Sequence, residues 1–226
     1  MPTDSSLHLA VLSDEEPDLT AFRALVAEHK AANSLDQAGA SGHSALALAA
    51  HKKRSTLAQI LLDAGANARS AGVRPDESKL TPLHFAAKNG DAELVRSLLA
   101  HGANASAEAS IMNTPLHMAC GWAAGADTVK ALLAAGASAS AQDLEQFTCL
   151  HLSVYAHSLN AERAVAQIRE LIDNHWCAHE CSSLTTKEGL TALEIATQQQ
   201  LPEAVLKMLR REHEPDGAGA ELKNEL

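Results

Sequence analysis

Residues 174–183, NHWCAHECSS, contain four side chains suited to metal binding: His175, Cys177, His179 and Cys181, each two positions after the last. Two histidines and two cysteines are a ligand set that suits zinc. The spacing of these four residues does not suit zinc, because structural zinc sites usually take two ligand pairs from separate secondary-structure elements. A helix would put the histidines and the cysteines on different faces, and a strand would spread all four too far for one ion. The alternative to a zinc site is that the two histidines lie at the surface and the two cysteines are ordinary half-buried thiols.

A second pair, Cys149 and His151, has the residue types of a thiol–imidazole nucleophile. No third residue that would orient the imidazole is evident. The sequence also contains no G-x-S-x-G, no phosphate-binding glycine loop and no HExxH. We therefore expect no catalytic residue, no metal ligand and no cofactor, and predict that the protein is not an enzyme.

The composition favours helices. Of the 226 residues, 46% are hydrophobic but only 3% are aromatic, so the core must consist mainly of alanine and leucine. Such residues suit closely packed helices better than a β-sandwich. The net charge of −10 leaves no basic footprint for nucleic acid. No apolar run approaches the roughly 20 residues that span a bilayer. The composition thus predicts a basic or apolar protein partner, and neither a nucleic-acid nor a membrane partner.

The ends of the chain and its four cysteines predict a cytoplasmic protein, and we expect it to be a monomer. The first residues lack the basic start and the long apolar segment of a signal peptide. The final KNEL is one residue away from a KDEL-type retention signal and is interpreted as chance. Free thiols are expected in a reducing compartment, where a disulfide between Cys177 and Cys181 is not expected.

A seven-residue pattern recurs along the chain. TPLHFAA begins at Thr81, TPLHMAC at Thr114, TCLHLSV at Thr148, TALEIAT at Thr191, and weaker copies begin at Ser5 and Ser44. A second landmark follows the better copies, as in ILLDAGAN (60–67) and SLLAHGAN (97–104). Self-similarity at this period indicates a solenoid of stacked helices.

These motifs resemble the ankyrin repeat family, strongly over residues 44–148 and less strongly over 148–212. The resemblance implies an all-α solenoid of helix-turn-helix units with extended finger loops. It also implies a concave face, formed by the fingers and first helices, that binds other proteins. Histidines occupy the fourth position of four copies: His8, His84, His117 and His151. In the family this histidine ties neighbouring repeats together by hydrogen bonds. Glu194 replaces it in the last copy.

The landmarks divide the chain into six units and a tail. The predicted boundaries are a degenerate N-terminal cap at 1–43, repeats at 44–80, 81–113, 114–147 and 148–190, a C-terminal cap at 191–213, and a disordered tail at 214–226. Within the third unit, Thr81 is expected to cap the first helix and Asp91 the second. Gly90 is expected to end the first helix in the left-handed conformation.

Distances between landmarks locate insertions. The finger around residues 68–80 is about four residues longer than usual, and the turn of the fourth unit is one residue longer. The fifth unit gains six residues around its turn, near YAHSLNAERAVAQ, and four in the finger that contains HWCAHEC. Because loops vary while the stack does not, function tends to reside in such insertions.

The candidate partner-binding residues cluster in the third to fifth units. They are Lys88, Ile111, Met112, Trp122, Leu144, Glu145, Phe147 and Tyr155. Exposed tryptophan and tyrosine often anchor protein interfaces. Alternatively, Trp122 folds back over the longer turn and Phe147 packs between fingers. The sequence therefore predicts a non-enzymatic protein–protein interaction module. The alternative function is a metal- or redox-responsive regulator that uses the 174–183 finger.

Overall fold

A computed structural model of the chain describes residues 4–13, 18–72, 79–110, 113–122, 124–173, 176 and 180–211. The helices in these ranges are α1 (Ser6–Leu12), α2 (Leu19–Ala31), α3 (Ala45–His51), α4 (Ser55–Asp63), α5 (Pro82–Asn89), α6 (Ala92–Ala100), α7 (Pro115–Gly121), α8 (Ala126–Ala134), α9 (Cys149–Ala156), α10 (Ala161–Asp173), α11 (Glu180–Ser183), α12 (Ala192–Gln198) and α13 (Glu203–Arg211). Within them, the only strand-like pairing is one isolated bridge between Ala38 and Ser44.

The helices form two rows. The inner row is α1, α3, α5, α7, α9 and α12, and each of these helices contacts the next one in the row. The outer row is α2, α4, α6, α8, α10 and α13, which follow one another in the same way. Each inner helix also packs against the outer helix that follows it. This arrangement confirms the predicted all-α solenoid.

Small inner-helix residues let the units approach one another. In α3 every residue from Ala45 to Ala50 is buried. The outer helices contribute larger side chains, such as Leu94, Val95 and Leu98 of α6, which are also buried. Because each unit leaves an apolar face that only a neighbour covers, burial accumulates along the stack.

The expected helix boundaries of the third unit are present. The Thr81 N–H donates to His84 Nδ1 at 3.1 Å, and the Asp91 Oδ1 atom accepts from the Leu94 N–H at 2.9 Å. Gly90 ends α5 with φ 73°. Thus Gly90 and the Asp91 side chain act where the sequence predicted them, whereas at the start of α5 the bond shown is accepted by the His84 imidazole from the Thr81 backbone.

The fingers are closed at their bases by a repeated backbone bond. The N–H of Gly39 donates to the His43 carbonyl, Ala109 to Asn113, Asp143 to Phe147 and Thr186 to Leu190, at 2.9–3.0 Å. In the second unit the equivalent bond runs from Gly72 to Leu80 and spans eight residues instead of four. This difference confirms the predicted insertion of about four residues in that finger.

The fifth unit needs a correction. Its six extra residues were expected around the turn, but α10 has 13 residues, whereas α4, α6 and α8 have nine. Four of the six therefore extend the outer helix, and two lengthen the turn. The extra turn of helix is stable because its apolar positions, including Ala164, Ile168 and Leu171, remain buried. The finger insertion contains the short helix α11.

Gly90 provides a test of how closely the units approach. A Cβ at Gly90 would lie 2.5 Å from the backbone oxygen of Ala124 in the next unit, at a φ of +73°. We expect Gly90→Ala to lower the free energy of unfolding by about 2 kcal/mol, through backbone strain and the clash. Urea unfolding followed by circular dichroism would measure this.

Gly102→Ala is the matched control for that substitution. Gly102 also has a positive φ, +84°, but a Cβ there would meet no atom within 4 Å. Its expected effect is backbone strain alone, about 1 kcal/mol. Equal effects of the two substitutions would contradict a close backbone approach at Gly90.

Candidate protein-binding surface

Lys88 and Trp122 form a contact between the third and fourth units. Lys88 lies in the last turn of α5, and Trp122 is the C-cap residue of α7. The Lys88 ammonium group lies 4.2 Å from the centroid of the Trp122 ring. Trp122 nevertheless remains 55% exposed. The cation–π contact therefore restrains the indole while leaving more than half of the residue accessible.

Tyr155 continues this surface in the fifth unit. It lies on α9 and is 41% exposed. The ring of Phe147 packs edge-on against it with centroids 5.5 Å apart, and against His151 at 6.1 Å. Phe147 is half-buried and packs against the core. Phe147 thus supports Tyr155 from beneath, and presents only part of its own ring.

The fourth finger is held in place by polar contacts. Asp143 Oδ1 accepts from the N–H groups of Glu145 and Phe147, each at 2.9 Å. The Glu145 carboxylate pairs with the Lys187 ammonium at 3.2 Å, and the Glu145 carbonyl accepts from the Lys187 N–H at 3.1 Å. These bonds join the fourth and fifth fingers. Leu144, at the tip of the fourth finger, is 45% exposed.

The remaining two candidates, Ile111 and Met112, lie outside the described residues. The other six fall on neighbouring parts of the inner row and the fingers, with Lys88 next to Trp122, Phe147 next to Tyr155, and Leu144 and Glu145 on the fourth finger. The exposed fractions of Trp122 and Tyr155 show that neither side chain is a core residue.

The repeated histidines tie the first helix of a unit to the end of the same unit's finger, directly before the next N-cap. The Thr81 N–H donates to His84 Nδ1, so Nδ1 carries no proton. The proton of the neutral imidazole is therefore on Nε2, which donates to the Asn113 carbonyl at 3.1 Å. His117 repeats this pattern with the Thr114 N–H and the Phe147 carbonyl, and His8 donates to the His43 carbonyl. The hydrogen bonds that the family resemblance implies are therefore present at these three positions, but each joins two parts of one predicted unit and not two neighbouring units.

In the last unit, Glu194 keeps half of this arrangement. Its carboxylate accepts from the Thr191 N–H at 2.7 Å and from the Thr191 hydroxyl at 2.8 Å. The carboxylate thus replaces the imidazole in the capping box of α12. An ionised carboxylate has no proton to donate to a finger carbonyl, as the histidines do. Here α12 and α13 are the last helix pair among the described residues.

Burial sets the protonation of these histidines. It lowers the pKa of His84 to about 4, against the opposing effect of the backbone bonds to Asn113 and Ala107. Burial also lowers the pKa of His117 and of His151, although the charge of Asp143 favours the protonated form of both. All three imidazoles are therefore neutral in the folded protein near pH 7, as the hydrogen-bond pattern requires.

A comparison with family models matches ankyrin repeats to residues 7–109, 61–143 and 116–218, in three copies. The chain belongs to the ankyrin repeat family. Ankyrin repeats are generally protein–protein interaction modules and are typically non-enzymatic. A comparison with curated proteins found no match. The first family match begins at residue 7, so it includes α1 and α2, where the sequence pattern is weakest.

The ankyrin stack contains a disulfide that the sequence interpretation missed. Cys120 and Cys149, on α7 and α9, are bonded with Cα atoms 5.4 Å apart, and both are buried. Cys181 is also disulfide-bonded. The expectation of free thiols is therefore wrong for these three residues. Because the Cys149 sulfur is bonded, it is not the free thiolate that a nucleophilic role with His151 requires.

The repeat pattern contained a signal for this bond. Cys120 takes the seventh position of the repeat signature, where earlier copies have Ala50 and Ala87, and Cys149 takes the second, where others have Pro82 and Pro115. The alanines and prolines at these positions are buried too. Stacking thus brings the seventh position of one ankyrin unit near the second position of the next, and here both hold cysteine.

The Cys/His segment of the fifth finger is only partly described. Trp176 is 41% exposed, and Cys181 is 1% exposed. His175, Cys177 and His179 lie outside the described residues. Within those residues, no group of three or more histidine, cysteine or acidic side chains is placed to hold a metal ion. The described helices also include none long and apolar enough to cross a bilayer.

Proposed function

We propose that this protein is a non-enzymatic binding module that holds a segment of a partner protein on the inner-helix surface around Trp122 and Tyr155. We call this the Trp122–Tyr155 surface and define it by Lys88, Trp122, Leu144, Glu145, Phe147 and Tyr155, with Ile111 and Met112 added from their finger position. One observation carries the proposal. Trp122 and Tyr155 are 55% and 41% exposed, whereas the apolar positions around them in α7 and α9 are largely buried.

The roles of these residues follow from their contacts. Trp122 and Tyr155 supply large, amphipathic rings, which are the residue types that dominate interface energies. Lys88 restrains Trp122, and Phe147 restrains Tyr155, so that little side-chain freedom is lost when a partner binds. Leu144 and Glu145 extend the surface along the fourth finger.

The proposal also covers the cellular location and the oligomeric state of the protein. We propose that the protein acts as a cytoplasmic monomer, and that it acts by binding rather than by catalysis. Burial of Cys120 and Cys149 is compatible with a reducing compartment, because a bond with 0% and 1% exposed residues is poorly accessible to a reductant.

Affinity purification from the native cell, followed by mass spectrometry, tests the proposal with the double variant Trp122→Ala, Tyr155→Ala. Partners that the wild type captures and the double variant loses are then purified and titrated against both proteins. We expect the double variant to bind at least about thirtyfold more weakly, equivalent to about 2 kcal/mol. Its helicity should be unchanged, because both residues lie at the surface and neither is part of the core.

Trp176→Ala is the control for that experiment. Trp176 is 41% exposed, on the fifth finger and outside the Trp122–Tyr155 surface. We expect it to leave the affinity unchanged. If Trp176→Ala weakens binding while the double variant does not, the site lies on the enlarged finger and the proposal is wrong.

A further inference from the structure

Among the six inner helices, only α12 contains an acidic side chain, Glu194. The chain has 28 acidic and 18 basic residues. The four inner-helix stretches 44–54, 81–90, 114–122 and 148–160 contain no aspartate or glutamate at all. Their charged side chains are cationic: Lys52, Lys53, Arg54 and Lys88. The inner helices from α3 to α9, with the turn after α3, thus carry only cations, whereas Asp91 follows α5 and Glu145 lies on the fourth finger. On an acidic protein this cationic part of the face favours an acidic ligand through electrostatic complementarity.

Contacts place part of this charge beside the Trp122–Tyr155 surface. Lys88 lies over Trp122, as described above. The Asn89 side chain donates to the carbonyl of Ala50 at 2.8 Å and so joins the end of α5 to the end of α3. Burial lowers the pKa of His51, and the nearby charges of Lys88 and Lys52 lower it further. Lys52 and Lys88 therefore lie near each other at His51 and form one positive region, whereas the Arg54 guanidinium donates to the Ser13 carbonyl of the first unit.

A gap lies next to this region. His51, Lys88, Gly121 and Tyr155 occupy the same position on α3, α5, α7 and α9, seven residues after each N-cap. Three of them present side chains along the inner row, and Gly121 presents none. A Cβ at Gly121 would meet only the two Leu152 methyl groups, at 3.9 and 4.0 Å. The missing side chain leaves room on the surface between Lys88 and Tyr155.

From these observations we infer that the partner segment is acidic and extended, and that it crosses the inner row from Lys88 to Tyr155. One of its carboxylates lies beside Lys88, and an apolar side chain enters the gap at Gly121, between Trp122 and Tyr155. Neighbouring helices lie about 8–10 Å apart, and an extended chain advances about 3.3 Å per residue. The acidic and apolar residues of the ligand are therefore about three positions apart. This inference rests on the proposed function, whose partner class it specifies.

Selection from a randomised 12-residue peptide library on the full chain tests the inference. Peptides that also bind the double variant Trp122→Ala, Tyr155→Ala are removed. The remaining peptides are synthesised with a fluorescent label and titrated by anisotropy. We expect them to carry acidic residues about three positions before an apolar one. Their affinity should fall about tenfold with Lys88→Glu, and similarly with Gly121→Leu, which fills the gap.

Two controls separate these effects from damage to the fold. Lys130→Glu makes the same charge change at an exposed position of α8, away from the inner row, and should leave the affinity nearly unchanged. Gly121→Ala adds a single methyl group and should weaken binding less than Gly121→Leu. A salt titration of the wild type needs no variant, and acidic peptides should bind more weakly as screening increases.

The outcomes distinguish the inference from the proposed function. Peptides that depend on Trp122 and Tyr155 but are neutral or basic, or that tolerate Lys88→Glu, overturn the inference and leave the proposed function standing. If no selected peptide depends on Trp122 and Tyr155, the proposed function and the inference both fail. Acidic peptides that lose affinity with Lys88→Glu and with Gly121→Leu support both.

Discussion

Replacing Cys120 and Cys149 with alanine is expected to lower the free energy of unfolding by about 3–4 kcal/mol. The disulfide closes a loop with a sequence separation of 29, and the chain-entropy estimate for a loop of this length is about 3.6 kcal/mol. The bond also joins α7 to α9, so its loss should loosen the contact between the fourth and fifth units. Urea unfolding of the oxidised wild type and of the double variant, followed by circular dichroism, would measure the difference.

Reduction provides the control for this prediction. A reductant should lower the stability of the wild type by an amount similar to the double substitution. The double variant should respond to the reductant only through the disulfide of Cys181. A second variant, Cys120→Ala with Cys149→Pro, restores the residue types that the third unit has at Ala87 and the fourth at Pro115. Equal stability of oxidised and reduced wild type would contradict the disulfide.

Acid is expected to destabilise the stack through His84. Burial lowers the pKa of His84 to about 4 in the folded protein, from an ordinary value of 6.5. The unfolded chain therefore binds a proton first as the pH falls. The stabilisation from neutral His84 is present above pH 6.5 and is lost as the pH falls from there to about 4. At about 1.4 kcal/mol per pKa unit, the total loss is about 3 kcal/mol.

Urea unfolding between pH 4 and pH 7 would measure this loss, with His84→Gln as the test variant. Because the variant has no imidazole at this position, its unfolding should take up fewer protons than unfolding of the wild type, by up to one. The free energy of unfolding should therefore depend less steeply on pH. His117 and His151, whose pKa values burial also lowers, should add to the slope that remains. An unchanged slope in His84→Gln would contradict this prediction.

The spacing of the repeat motif was sufficient to predict the fold. Thr81, Gly90 and Asp91 act through their own backbone neighbours, so local chemistry places the ends of α5 and the start of α6. Counting residues between landmarks also located the longer finger between Gly72 and Leu80. It did not show that four of the six residues inserted between Thr148 and Leu171 extend α10. A residue count between two landmarks does not distinguish a longer turn from a longer helix.

The candidate surface was predictable in part. The repeat pattern assigns Lys88, Trp122 and Tyr155 to the inner row, because position in the repeat decides which face a residue occupies. It does not decide how neighbouring side chains pack. The contact of Lys88 with Trp122 and the support of Tyr155 by Phe147 both depend on side chains from separate units or segments.

The sequence alone determined the ankyrin family, the helical stack and the presence of the histidine hydrogen bonds, because each depends on a pattern that recurs within one unit. Only the tertiary structure decided the state of Cys120 and Cys149. These residues stand in different units, and only the stacking of α7 on α9 brings their Cα atoms to 5.4 Å. The same holds for Gly121, whose missing side chain becomes a gap only between Lys88 and Tyr155 of the flanking helices.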